Sequence, residues 1–169
     1  MLFSKPFHEI TFQDVTEFCE NWPEGVRVEY KDGVVQIPKV VSSFANTQGG
    51  IWVIGVTADK ATNRVILPIK GFKRDTGLEE RITQSCYSSL YPPLLPDILV
   101  LDVPDNDDNV IAIVRVHESM EAPHAIENTT RVYIRNNNTT ERIELAEIDR
   151  IDYLLKRRRG GNKRRVCIC

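Results

Sequence analysis

Between Val26 and Val56 the hydrophobic period of the chain changes twice, and that change restricts the possible folds more than any other feature of the sequence. In Val26-Arg27-Val28-Glu29-Tyr30-Lys31 apolar and charged residues alternate strictly, the pattern of a strand whose two faces meet different surroundings. Val26, Val28 and Tyr30 are expected to face the core, with Arg27, Glu29 and Lys31 sharing the other face. Pro38 then suits the first turn of a helix, and Ile37, Val40, Val41, Phe44 and Ala45 recur at the spacing of one helical face. Gly49-Gly50 stops that helix. Ile51-Trp52-Val53-Ile54-Gly55-Val56 follows without a polar side chain, as in a strand covered on both faces. The connection is long enough for a crossover, which predicts a βαβ unit, right-handed if its strands are parallel.

The remaining sequence adds elements on both sides of this unit. Thr11 is a candidate N-cap for a helix running to about Trp22, with Val15, Phe18 and Cys19 on one face and Pro23 to Gly25 as breakers. A strand is expected near Val65 to Ile69. Thr76-x-x-Glu79 offers a capping box for a helix carrying Leu78, Ile82 and Cys86, ended by Pro92-Pro93. Ile98 to Val103 and Val110 to Val116 read as strands around the turn-rich 105–109. That turn is a hairpin loop rather than a calcium site, because no EF-hand Gly and Glu follow at the required offsets. Arg131 to Arg135 is a further strand, and Leu145, Ile148, Ile151 and Leu155 predict a closing helix. With 169 residues, 41% of them hydrophobic, the chain can bury one ordinary core. Strands mixed with helices, without strict alternation, predict a single α/β (α+β) domain over residues 1–155: a mixed sheet flanked by helices.

Charge is unevenly distributed. Net charge is −2, yet seven of the 22 basic residues, Lys156, Arg157, Arg158, Arg159, Lys163, Arg164 and Arg165, fall after residue 155. The body keeps 15 basic residues against 24 acidic ones, about −9. Residues 156–169 therefore read as a flexible basic tail, able to hold phosphates by counterion release or to serve as a solvated terminus or linker. Cys19, Cys86, Cys167 and Cys169 form no CxxC pair and sit at no metal-ligand spacing from a His, so neither zinc nor a disulfide framework is indicated. The closing Cys-Ile-Cys lacks the usual four-residue lipidation box, so it reads as a lipidated end or an arbitrary stop. No apolar run approaches the roughly 20 residues of a membrane-spanning helix, and the N-terminus is unlike a signal peptide. An intracellular location, cytoplasmic or nuclear, is the expectation.

Three blocks carry a resemblance. Glu29-Tyr30-Lys31, then Ser43-Phe44-Ala45-Asn46-Thr47-Gln48-Gly49-Gly50, then Ile54-Gly55-Val56 match, in order, a Glu-aromatic-Lys strand, a helix ending Ala-Phe-Ala-Asn-Thr-x-Gly-Gly, and an apolar strand ending Gly-Val. Together they resemble the AlbA-like domain of the Schlafen family, with Ser43 in place of Ala. Ala122-Pro123-His124 resembles the family's Pro-His, and Val132-Tyr133-Ile134-Arg135 its Tyr-x-Arg strand. The likeness covers about residues 20–155. It implies a nucleic-acid-binding protein, and in some members a metal-dependent endoribonuclease acting on structured RNA such as tRNA. That activity uses two Glu five positions apart and an Asp just beyond Gly-Val. Glu24 and Glu29 match the first two, and Asp59 is the nearest third, displaced by Thr57-Ala58. Three oxygen ligands of this kind would hold Mg²⁺ or Mn²⁺. Lys31, about 6.6 Å along the strand from Glu29, would stabilise charge on a phosphate. An ion pair of Glu29 with Lys31 or Arg27 is the alternative.

Other polar residues have candidate roles too. Arg135 is a phosphate-contact candidate or one half of a core-edge ion pair. Arg27, Lys31, His124 and the run Lys156, Arg157, Arg158 and Arg159 are further nucleic-acid contacts. His124 could equally hold a backbone group, and Asn46 and Thr47 could cap the helix and turn the chain with positive φ. No GxxxxGK[ST] motif is present, so no ATP site is expected. The resemblance leaves three partners open: RNA or DNA, a second copy of the chain in a homodimer, or another Schlafen-like chain with which this one forms a nuclease.

Overall fold

The computed structural model of the protein describes residues 2–104, 106–127, 129–137 and 143–165, with side chains to residue 160. The elements are α1 (Phe12–Asn21), β1 (Val28–Lys31), α2 (Ile37–Ala45), β2 (Gly50–Ile54), β3 (Phe72–Lys73) and α3 (Leu78–Ser89). They continue with β4 (Leu90–Tyr91), β5 (Asp97–Val103), β6 (Asn106–Val116), β7 (Ala125–Ile126), β8 (Arg131–Arg135), β9 (Ile143–Leu145) and α4 (Ile148–Arg165). They form the single mixed α/β domain expected. β1 and β2 pair in parallel, Val28 opposite Ile51 through Lys31 opposite Ile54, so the predicted βαβ unit forms.

That unit seeds a five-stranded sheet. β2 pairs antiparallel with β6, and β5 pairs along the other side of β6. Val110 pairs with both Asp102 of β5 and Phe72 of β3, so β3 extends the β2 side of β6. β1 and β5 are therefore the long outer strands, and the two-residue β3 also pairs with β6 alone. A second, four-stranded sheet runs β4-β7-β8-β9.

The central sheet buries both faces. On one, Val28, Tyr30, Ile51, Val53, Ile111 and Ile113 pack with Val15, Phe18 and Cys19 of α1. On the other, Trp52, Ile54, Ala112 and Val114 pack with Val40, Val41 and Phe44 of α2 and Leu78, Ile82 and Cys86 of α3. Thr11 caps α1 in a reciprocal box with Asp14, as its sequence position predicted. The turn after α2 needs two glycines. Gly49 has φ +67°, and a Cβ there would stand 2.6 Å from the Val116 carbonyl oxygen; one on Gly50 would strike the Phe44 ring at 2.2 Å.

Several expectations are corrected. Residues 65–69 make no strand: Val65 forms one bridge, to Ala58, Pro68 has no N–H to donate, and Ile66 and Leu67 are exposed. Thr76 caps nothing; α3 starts from Gly77 without a side-chain cap, and Asp75 instead pairs with Arg81. The β5–β6 loop is tighter than 105–109, because β6 begins at Asn106; Asp105 lies outside the described residues. Leu145 belongs to β9, opposite Tyr133, so the closing helix begins at Ile148 and buries Leu154, not Ile148 or Leu155. The helix backbone of α4 continues to Arg165. Cys167, Cys169 and the side chains of Lys163, Arg164 and Arg165 lie outside the described residues.

Candidate functional site

The alternation of β1 turns Glu29 away from Val28 and Tyr30, toward the face covered by α2 and β8. Glu29 is 5% exposed. Its Oε2 accepts from the Arg135 guanidinium at 2.6 Å, and its Oε1 lies 2.5 Å from Lys31 Nζ. Arg135 also donates to the carbonyls of Gly25 at 2.8 Å and Val28 at 3.3 Å, and its guanidinium lies 4.2 Å from the Phe44 ring centroid. Glu24 completes the group: its Oε1 accepts the Tyr30 backbone N–H at 3.0 Å and stands 4.0 Å from Lys31 Nζ. Two anions and two cations thus form a compact, nearly neutral quartet. Burial acts to raise the Glu29 pKa, but the nearby Arg135 and Lys31 charges outweigh it and hold the carboxyl below its ordinary range.

The Asn-Thr-x-Gly-Gly block is what brings Arg135 there. Asn46, fully buried, donates from its amide to the carbonyls of His124 and Tyr133 and accepts the His124 N–H at 2.7 Å. Its φ is −77°, so the helix-terminating positive φ belongs to Gly49 and not to Asn46. The Thr47 hydroxyl donates to Ser43 O and accepts the Arg135 N–H at 2.9 Å. Both side chains fasten the end of α2 to β7 and β8. Spacing alone could not have revealed this role, because the partners lie 78 to 88 residues away.

His124, 1% exposed, serves the same junction. Its Nδ1 lies 2.7 Å from the Pro92 carbonyl, which can only accept, so Nδ1 carries the proton and Nε2 accepts from the Ser119 hydroxyl at 2.7 Å. Burial lowers its pKa and favours the neutral ring. His124 therefore holds backbone and is not placed as a phosphate contact, both ring nitrogens being engaged inside the fold.

Arg135 is likewise corrected as a phosphate contact: its side chain has no solvent exposure, and Glu29 offsets its charge. Lys31 keeps 36% of its side chain exposed. Arg27 is exposed over the Phe3 ring.

The three carboxylates expected to hold a metal do not meet as a ligand set. Glu29 spends both oxygens on cations. Glu24 holds a strand edge. Asp59 Oδ1 accepts from the Ala61 and Thr62 N–H groups and the Thr62 hydroxyl, and these Thr62 bonds, with a smaller one from Ala61, keep its pKa below the ordinary value. Among the described residues no three His, Cys, Asp or Glu side chains lie close enough to share a metal ion. In this arrangement each of the three carboxylates is engaged by groups of the protein itself.

In α4, Leu154 and Arg157 fix the helix to the body. Arg157 pairs with Glu118 and donates to the Ser119 carbonyl at 2.8 Å. Lys156 and Arg159 stay exposed and Arg158 half-buried, with Lys156 paired to Asp152 at 2.5 Å on the helix surface. No described helix is long and apolar enough to cross a membrane.

Comparison with known proteins agrees with this architecture. No curated protein matches the chain. The N-terminal domain of a RecG-related protein from Nitrosomonas europaea, solved by solution NMR, matches with a TM-score of 0.51 at 22% identity, over 65% of this chain and 74% of that one. At that identity the likeness is one of fold. The family model described as Schlafen, AlbA_2 matches residues 13–144, which takes in α1 from its second residue, the quartet, the Asn-Thr-x-Gly-Gly junction and β8. The chain belongs to the Schlafen AlbA_2 family.

Proposed function

We propose that the protein is a non-catalytic nucleic-acid-binding module whose contact surface is the cationic half of α4. Family membership suggests the ligand class. The observation that carries the reading is the division of labour among the basic residues. Arg135 is spent inside the fold and Arg157 ties α4 down, while Lys156 and Arg159 face solvent on an anchored helix. A body of about −9 repels a phosphate backbone, so binding concentrates on this ridge and follows counterion release. Contacts of this kind hold phosphates without reading bases. RNA of the tRNA type and DNA are both ligands on this reading.

The test is fluorescence anisotropy with labelled tRNA and with DNA of matched length at 50 and 200 mM salt. The double variant K156A/R159A should bind more weakly and lower the slope of log K against log salt by roughly two, one for each phosphate that is no longer neutralised. An unchanged slope refutes the assignment. A second reading, metal-dependent cleavage of structured RNA, has in its favour that Glu24 and Glu29 converge on Lys31; the engagement of Asp59 in its own turn counts against it. Incubation of tRNA with Mn²⁺ separates the two: cutting by the wild type that Glu29→Gln abolishes, with the variant still folded, favours the enzyme.

A further inference from the structure

The two outer strands of the central sheet are treated differently. At β1 the outer edge is closed by the chain itself: Gly25 and Val28 exchange backbone hydrogen bonds, the Glu24 carboxylate takes the Tyr30 N–H, and the Arg135 guanidinium covers the Gly25 and Val28 carbonyls. β5 has no such cover. It pairs with β6 on its inner side only, and among the described residues no backbone or side-chain group bonds the outward N–H and C=O groups of Asp97–Val103. Alternation along this seven-residue strand aims three or four residues' polar backbone groups outward. Exposed edges are ordinarily blunted by lysine, by proline within the strand, by a short length or by an early bulge. Here Ile98-Leu99-Val100-Leu101 is uncharged, its one register shift falls at the far end between Asp102 and Val103, and Pro96 and Pro104 stand just outside it.

We infer that β5 is a pairing edge whose occupant is the β5 strand of a second copy of the chain, antiparallel about a two-fold axis through Val100. The side chains argue for self-pairing. Leu99 and Leu101 belong to the α1 face of the sheet, and Ile98 and Val100 to the α3 face. A two-fold axis normal to the sheet keeps each face on its own side and sets Leu99 against Leu101 of the partner and Val100 against its own symmetry mate. The two acids avoid one another: Asp102 comes opposite Ile98, and Asp97 opposite Val103. Each acid is also answered within its own chain, Asp97 by Arg115 and His117, Asp102 by Arg74. The seven residues between the prolines are used completely, and two five-stranded sheets become one continuous sheet across the axis. The contact is isologous, so it closes at a dimer. It involves no residue of the α4 ridge, so it stands or falls independently of nucleic-acid binding.

Sedimentation velocity of the full chain, in reductant and without nucleic acid, tests the proposal. The wild type should shift from monomer to dimer as concentration rises through the micromolar range. Val100→Lys and Val100→Glu each place like charges opposite one another at the axis, and each should be monomeric at concentrations where the wild type is dimeric. An equimolar mixture of the two should recover the dimer, since only a symmetric contact brings position 100 against itself. Hydrogen exchange on the wild type needs no variant: amides of 98–102 should gain protection with concentration while those of β1 do not change. A wild type that stays monomeric at all concentrations overturns the inference, as does a dimer that survives both single charges or whose β5 amides exchange alike at low and high concentration. Protection of β5 only by an added foreign strand peptide also overturns it, since the occupant would then not be a second copy.

Discussion

At the residue scale the chain turns on Glu29. Breaking a buried pair leaves an uncompensated charge, so Glu29→Gln, which strands Arg135, should cost roughly 3–5 kcal/mol, read as a shift in the urea midpoint. The pH dependence has a definite sign. With its folded pKa depressed below the ordinary 4.5, Glu29 contributes stability that is present above that value and lost as pH falls through the lower folded one. His124 follows the same linkage from a higher start, because below its ordinary 6.5 the unfolded chain takes up a proton that the buried ring resists. Thermal melts from pH 7 downward should therefore show two declines, the first removed by His124→Gln and the second flattened by Glu29→Gln. The sequence offers Glu29 and Arg135 as members of family motifs and shows the alternation that puts Glu29 opposite Tyr30. It does not show that the two meet, since 106 residues separate them and no local period encodes such a contact.

At the scale of elements, legibility tracks how local the cause is. The βαβ unit, the Thr11 cap and β8 are readable because period, cap and breaker are close neighbours in the chain. β3, β4 and β7 have two residues each, too few to show any period, and their partners alone define them. The closing helix starts later than its stripe suggests for a related reason: Leu145 fits a helical spacing, but its pairing with Tyr133 takes it into β9. The α2–β8 junction makes two predictions. Asn46→Ala removes the partner of one buried N–H and two carbonyls and should cost roughly 1–3 kcal/mol, with faster amide exchange concentrated in β7 and β8. Gly49→Ala forces a side chain into positive φ against the Val116 carbonyl, and should cost more than about 1 kcal/mol, visible as a lowered melting temperature.

Taken as a whole, the molecule separates an acidic α/β body from a cationic helix end, and it closes one sheet edge while leaving the other bare. The sequence carries the charge asymmetry plainly. It could not show that Arg157 is withdrawn from that asymmetry by Glu118, because the two are 39 residues apart. Nor could it show which strands lie outermost, since strand order is a property of the assembled sheet. The link from β1 to β8 also has a temporal side. On the ribosome Glu29 emerges long before Arg135, so the first half of the domain waits with a carboxylate it cannot bury until its distant counter-charge has been synthesised. A fragment ending at residue 130 should accordingly lack a cooperative melting transition. Stalling translation there would leave the β8-facing side of α2 and the Glu29 carboxylate open to chaperones and to neighbouring nascent chains.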